Sequence, residues 1–165
     1  MKMKPGDKIV YPMYGAGKIV SAEYKEVMGT TKLYFLLKLP YDRLTLFIPE
    51  DHPESLGIRA PVSKKEIPDV IKALGRQYAF ESDNWHKKQR ECSDLLKKGD
   101  IYSVVKAYSL MSKLESTRGA ALGDKKLKNV AKNVLFSEIA TAMDINFLEV
   151  EALIKEELEK LNAEK

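Results

Sequence analysis

Apolar residues recur at every second position up to about Pro49. Val20, Ala22 and Tyr24 alternate with Ser21, Glu23 and Lys25; Leu33, Phe35, Leu37 and Leu39 alternate with Tyr34, Leu36 and Lys38; Leu44, Leu46 and Ile48 alternate with Thr45 and Phe47. A period of two is that of a strand with one face against a core. Turn-forming residues separate the runs, at Pro5-Gly6-Asp7, Gly15-Ala16-Gly17, Met28-Gly29-Thr30 and Pro40-Tyr41-Asp42. Several short antiparallel strands in so few residues predict a small barrel of the SH3 or Tudor type, closed by the chain continuing through Pro53 to Gly57.

From Pro61 onward the spacing becomes that of a helix. Ser63-Lys64-Lys65-Glu66 has the pattern of a capping box and opens a short helix to Leu74; a second helix runs from about Asn84 to Lys98 and stops at Gly99. A third begins after Asp100, carries Ile101, Val104, Val105, Tyr108, Met111 and Leu114 as one stripe, and is followed by Gly119. Asp124 is expected to cap a fourth helix reaching about Met143, with Leu127, Val130, Ala131, Val134 and Leu135 inward. Asn146-Phe147-Leu148-Glu149 reads as another capping box, opening a fifth helix with Phe147, Val150, Leu153, Ile154 and Leu158 inward. The predicted fold class is therefore β followed by α: an antiparallel barrel over residues 1–58, then a bundle of about five helices over residues 59–165. There is no internal repeat and no low-complexity tract.

Charge changes this picture more by its distribution than by its total. The net charge is only +4, but residues 1–60 carry +2, residues 61–128 carry +6 and residues 129–165 carry −4. A basic middle segment steers a polyanion, or equally serves as a solvated face kept for solubility. No apolar run approaches the length of a membrane span, and the Met1-Lys2-Met3-Lys4 start runs into Pro5 without a signal-peptide core. The expected compartment is the cytoplasm, with no membrane partner. A single cysteine, Cys92, excludes an internal disulfide and a cysteine-based zinc cluster and is expected to be a small buried hydrophobe.

Catalytic chemistry leaves little trace. His52 and His86 are the only histidines, and neither has metal-ligand spacing. Gly17-Lys18 fails as a phosphate loop, because Ile19 stands where a Ser or Thr must hold magnesium and Pro12 where the first glycine belongs. Glu151, Glu156, Glu157 and Glu159 are explained as a solvated helix face. The expectation is a protein that is not an enzyme, with no catalytic residues, cofactor, metal or small-molecule substrate.

The segment richest in recognition chemistry is Ser82-Asp83-Asn84-Trp85-His86-Lys87-Lys88-Gln89-Arg90. It joins the only tryptophan to a basic turn. Lys and Arg neutralise phosphates without reading sequence, and a large flat side chain beside them can press on bases at a distorted step. The competing reading is packing, since Trp85 shares a helical face with Cys92, near Leu95 and Leu96. Three successive good N-caps set Trp85 in the first turn, where a side chain can overhang the bundle.

These residues resemble a family, the CarD-like (CarD/CdnL) bacterial transcription regulators. The resemblance rests on Pro5-Gly6-Asp7-Lys8-Ile9-Val10-Tyr11-Pro12 with Gly15 and Gly17, similar to the RNA polymerase-interacting domain shared with transcription-repair coupling factors. It continues through Leu44-Thr45-Leu46-Phe47-Ile48-Pro49, Gly57-Ile58-Arg59, Asn84-Trp85, Gly99-Asp100 and Glu115-Ser116-Thr117-Arg118-Gly119. It implies a Tudor-like domain that binds the RNA polymerase β subunit and a helical domain that contacts promoter DNA, largely independently of sequence, at the upstream edge of the bubble. The tryptophan would then wedge the minor groove and stabilise the open complex. By this resemblance Trp85 is the wedge, Lys87, Lys88 and Arg90 are phosphate contacts, and Lys125 or Lys126 is a further backbone contact. Lys25, Thr45, Leu46, Phe47 and Ile48 would meet polymerase. Family members often carry a basic residue where Phe47 stands, so Phe47 is either a hydrophobic contact or a satellite core under the helical domain. Two other readings stay open: a polymerase adaptor without DNA wedging, and a Tudor-like module for another protein or RNA.

Overall fold

The computed structural model describes residues 2–41, 44–118 and 122–164. Strands β1 (Lys8–Tyr11), β2 (Gly15–Val27), β3 (Thr30–Lys38) and β4 (Thr45–Pro49) form one antiparallel sheet in chain order. After a 3-10 turn at Pro53–Leu56 the chain returns to the outer edge of β1, where Val10 and Arg59 exchange backbone hydrogen bonds of 2.7 and 3.2 Å. The Tudor-like domain encloses Met3, Ile9, Ile19, Phe35, Leu37, Leu39, Ile48 and Ile58. Burying each such side chain contributes roughly 1.5–3 kcal/mol. Among the described residues β4 pairs on one side only, with β3.

The alternation in β3 and β4 reads correctly except at Leu44, which precedes β4 and is 42% exposed, whereas β2 differs from expectation. Its register shifts between Ile19 and Ser21, so Val20 bulges out and is 52% exposed. Beyond the bulge, Ala22 and Tyr24 pair with Phe35 and Leu33, yet both are exposed. With 13 and 9 residues, β2 and β3 outrun β1 and β4, which have 4 and 5, so among the described residues no other strand covers the far end of the hairpin. Gly17 has a packing role: a Cβ there would lie 2.1 Å from the Lys38 carbonyl oxygen.

Five α-helices follow: α1 (Ile67–Leu74), α2 (Trp85–Lys98), α3 (Ile101–Arg118), α4 (Leu122–Met143) and α5 (Phe147–Ala163). Asn84 caps α2 by accepting from the Lys87 backbone N–H, and Gly99 ends it in a left-handed conformation. At α5 the capping half of the expected box forms, Glu149 N–H donating to Asn146 Oδ1, while the return contact runs between side chains, Asn146 Nδ2 donating to Glu149 Oε1. The one at Ser63 does not form. A 3-10 turn, Lys64–Glu66, intervenes, and α1 starts at Ile67 with Pro68 preset in its first turn. Asp124 is not a cap either, because α4 begins two residues earlier, at Leu122. Helix α3 is more enclosed than a single stripe implies, with Ala107 and Leu110 also fully buried. Gly119 and Asp42 lie outside the described residues.

The two halves meet along a polar and apolar seam. Arg59 donates from Nη1 and Nη2 to both oxygens of Glu138 at 2.7 and 2.8 Å, and from Nε and Nη2 to the Gly99 carbonyl at 3.0 and 2.8 Å. Glu138 is fully buried and also accepts from the Val62 backbone N–H at 3.0 Å. Ser137 accepts from the Ala16 N–H at 2.8 Å, and Met13, on the β1–β2 turn, packs on the helical core. At the rim, Asp144 meets Lys8 at 3.0 Å and Lys18 at 3.4 Å, which holds its carboxyl below the usual range.

Removing one partner of a buried ion pair leaves the other uncompensated. Arg59→Met is expected to lower unfolding free energy by about 3–5 kcal/mol in urea, and Arg59→Met with Glu138→Leu by clearly less. A single variant that unfolds like the parent protein would show that the pair does not hold the seam.

Candidate functional site

Trp85 occupies the first turn of α2 and is half-buried. Its face-mate Cys92 is fully buried, so the helix runs from a partly open end into the core. The indole Nε1–H donates to Asp124 Oδ2 at 3.3 Å, and Gln89, one turn on, donates to Asp124 Oδ1 at 3.2 Å. Asp124, in the first turn of α4, is 4% exposed. The starts of two helices are thus tied together beneath one aromatic ring. His86 stands edge-on to that ring, 5.1 Å between centroids.

The basic residues around Trp85 divide into groups. Lys87 and Arg90 are exposed and line a shallow depression with Lys98 and Lys106, along with Glu81, Glu91 and Asp94. Lys88 turns back instead: it is half-buried, with Nζ 5.1 Å from the Phe80 ring centre. Lys125 and Lys126 are exposed on α4, just beyond Asp124. Lys125 lines a groove with Lys128 and Lys132, where Lys128 is ion-paired to Glu115. The positions Lys125, Lys128 and Lys132 are i, i+3 and i+7, so their common helical face was visible in the spacing. Lys98 lies eleven residues after Lys87 on the same face of α2, so its place was visible in the spacing, whereas Lys106, on α3, joins them only through tertiary packing.

On the β domain, Lys25 and Phe47 come together, with Lys25 Nζ 3.4 Å from the ring centre. Phe47 is 42% exposed and lies opposite Leu36 on the outer face of the sheet, so it is not a satellite core under the helices. Thr45 is exposed and Leu46 half-buried, both on the unpaired edge strand. Ile48, on the core-facing parity of its strand and fully buried in the barrel, can reach a partner only through the strand edge.

Little else invites chemistry. A cleft of about 1000 Å³ between the domains is lined by Lys18, Val20, Lys38, Tyr41, Thr141 and Asp144, away from both groups above. Among the described residues no cluster of three or more His, Cys, Asp or Glu could hold a metal, and no helix is long and apolar enough to cross a membrane.

The chain is thus a two-domain protein in which a Tudor-like sheet with an open edge is fastened to a helical domain bearing a basic, tryptophan-tipped end. Residues 3–62 match the CarD-like/TRCF RID domain, and residues 69–155 match the CarD C-terminal domain. The chain belongs to the CarD-like family of transcription regulators. The first of these domains is an RNA polymerase-interacting type. The candidate transcription factor YdeB of Bacillus subtilis (strain 168) is 26% identical over 140 residues, covering 81% of this chain and 88% of that protein.

Burial pushes the Cys92 thiol up to about 12, with the Glu91 and Asp124 carboxylates adding to the effect. The thiolate is the reactive form, so native Cys92 is expected to resist a disulfide-exchange reagent at pH 8 and react only on unfolding. Stoichiometric labelling of the native protein within minutes would contradict the burial.

Proposed function

We propose that this protein bridges the β subunit of RNA polymerase and promoter DNA, and stabilises the open complex by a wedge at Trp85. The observation that carries the reading is the half-buried Trp85 at the meeting of two helix starts, flanked by exposed Lys87, Arg90, Lys125 and Lys126. The partial positive charge of both helix starts adds to the lysines in attracting phosphate. An apolar ring inserted at a distorted step favours opened over closed duplex, so binding shifts that equilibrium. The polymerase face is best served by the open edge of β4. Main-chain hydrogen bonds to a partner strand supply affinity there, and the Phe47–Lys25 pair with Thr45 supplies specificity. Lys88 contributes less to phosphate binding than Lys87 and Arg90, because its ammonium leans on Phe80. The protein acts by binding rather than by catalysis, in the cytoplasm with the transcription machinery.

Phe47→Asp is expected to abolish pull-down of the β subunit while leaving the melting temperature within a few degrees of the parent, since Phe47 supports no core. Retained pull-down would mean the wrong face has been chosen.

Trp85→Ala is expected to shorten the lifetime of heparin-resistant promoter complexes by about five- to thirty-fold, equivalent to about 1–2 kcal/mol in the opened state. Polymerase binding should persist. A large drop in thermal stability with parallel loss of polymerase binding would return Trp85 to a packing role; unchanged complex decay would leave a polymerase adaptor without a wedge.

A further inference from the structure

Asp124 is a carboxylate buried to 4% exposure that has no ion-pair partner among the described residues. For packing alone, a leucine would cost less, because a buried acid loses its hydration. Such a group persists where its oxygens hold donors in a required geometry. Here both oxygens are engaged, Oδ2 by the Trp85 indole at 3.3 Å and Oδ1 by the Gln89 amide at 3.2 Å. Gln89 lies four residues after Trp85, on the same face of α2. Gly123 leaves room for the Gln89 amide at this contact: a Cβ there would stand 3.1 Å from Gln89 Nε2, which would have to shift by a few tenths of an ångström.

We propose that Asp124, braced by Gln89, is a positioning residue that clamps the indole of Trp85 and ties up its one polar atom, so that the protein offers DNA an oriented apolar ring edge. This rests on the wedge reading of Trp85. An indole has a single donor and no acceptor. With its N–H committed to Asp124, Trp85 makes no hydrogen bond to a base edge, so insertion discriminates between steps by how easily they unstack and not by base identity. Fixing the ring before DNA arrives also removes the cost of ordering it on binding.

Trp85 is the only tryptophan, so the full-length ¹⁵N-labelled protein gives one indole N–H resonance that reports on this contact alone. The expected result is a proton that exchanges with water slowly in the parent protein and about fivefold faster in Asp124→Ala. Gln89→Ala leaves the core intact and is expected to speed exchange by about twofold, which keeps the comparison in hand if the alanine at position 124 fails to fold. A parent indole proton exchanging at the rate of free tryptophan would overturn the clamp. In promoter assays with polymerase, Asp124→Ala is expected to speed open-complex decay by about two- to fivefold, and to add nothing in a Trp85→Ala background. Equal acceleration in both backgrounds would make Asp124 a purely structural residue and overturn the proposal. Unchanged decay in Trp85→Ala itself would end the wedge reading, while slow indole exchange would still establish the clamp.

Discussion

Arg59 belongs to both halves of this protein at once. Its backbone completes the β sheet through Val10, while its guanidinium forks onto Glu138 in the middle of α4 and onto the carbonyl that ends α2. Both ends of the fork are bidentate or nearly so, the geometry in which an arginine defines an angle as well as a distance. Glu138 would be untenable in the core without it. The seam therefore fixes orientation: the open edge of β4 and the tryptophan at the start of α2 are surfaces of one body rather than two beads on a linker.

That rigidity suits the proposed bridging role, in which two surfaces must be held at a set angle. The β domain supplies an edge strand and an aromatic-basic pair, and the helical domain a ring with lysines around it. Trp85 itself is neither wholly core nor free. Its ring is seated on α4 through one hydrogen bond and retains exposed surface for a partner.

Much of this was legible in the chain. The period of two located the strands and the capping residues located α2, α3 and α5, because those signals are local. The family resemblance correctly named the domain types. The parity of β2 misled, because a bulge at Val20 and an overhanging hairpin break the link between alternation and burial. Asp124 misled for a different reason. An acid near a helix start usually caps it, and only the docking of α2, 39 residues earlier, turns this one sideways into a clamp. Arg59 with Glu138 carried no readable signal, since an arginine and a glutamate 79 residues apart are indistinguishable from solvated charges until the fold brings them together.

The seam also has a history in time. Its contacts close loops of 79 residues at Arg59–Glu138, 121 at Ala16–Ser137 and 136 at Lys8–Asp144, whereas the strands pair with their neighbours and the helices pack largely in sequence. Loop-closure entropy makes such contacts the late ones, and a chain emerging from the ribosome completes its β domain before Glu138 exists. At about 5–20 residues per second the Arg59 guanidinium waits several seconds for its counter-ion. Through that interval the nascent sheet stands with Met13 and the Arg59 side chain uncovered, so the surface later hidden in the seam is exposed longest before the chain is complete.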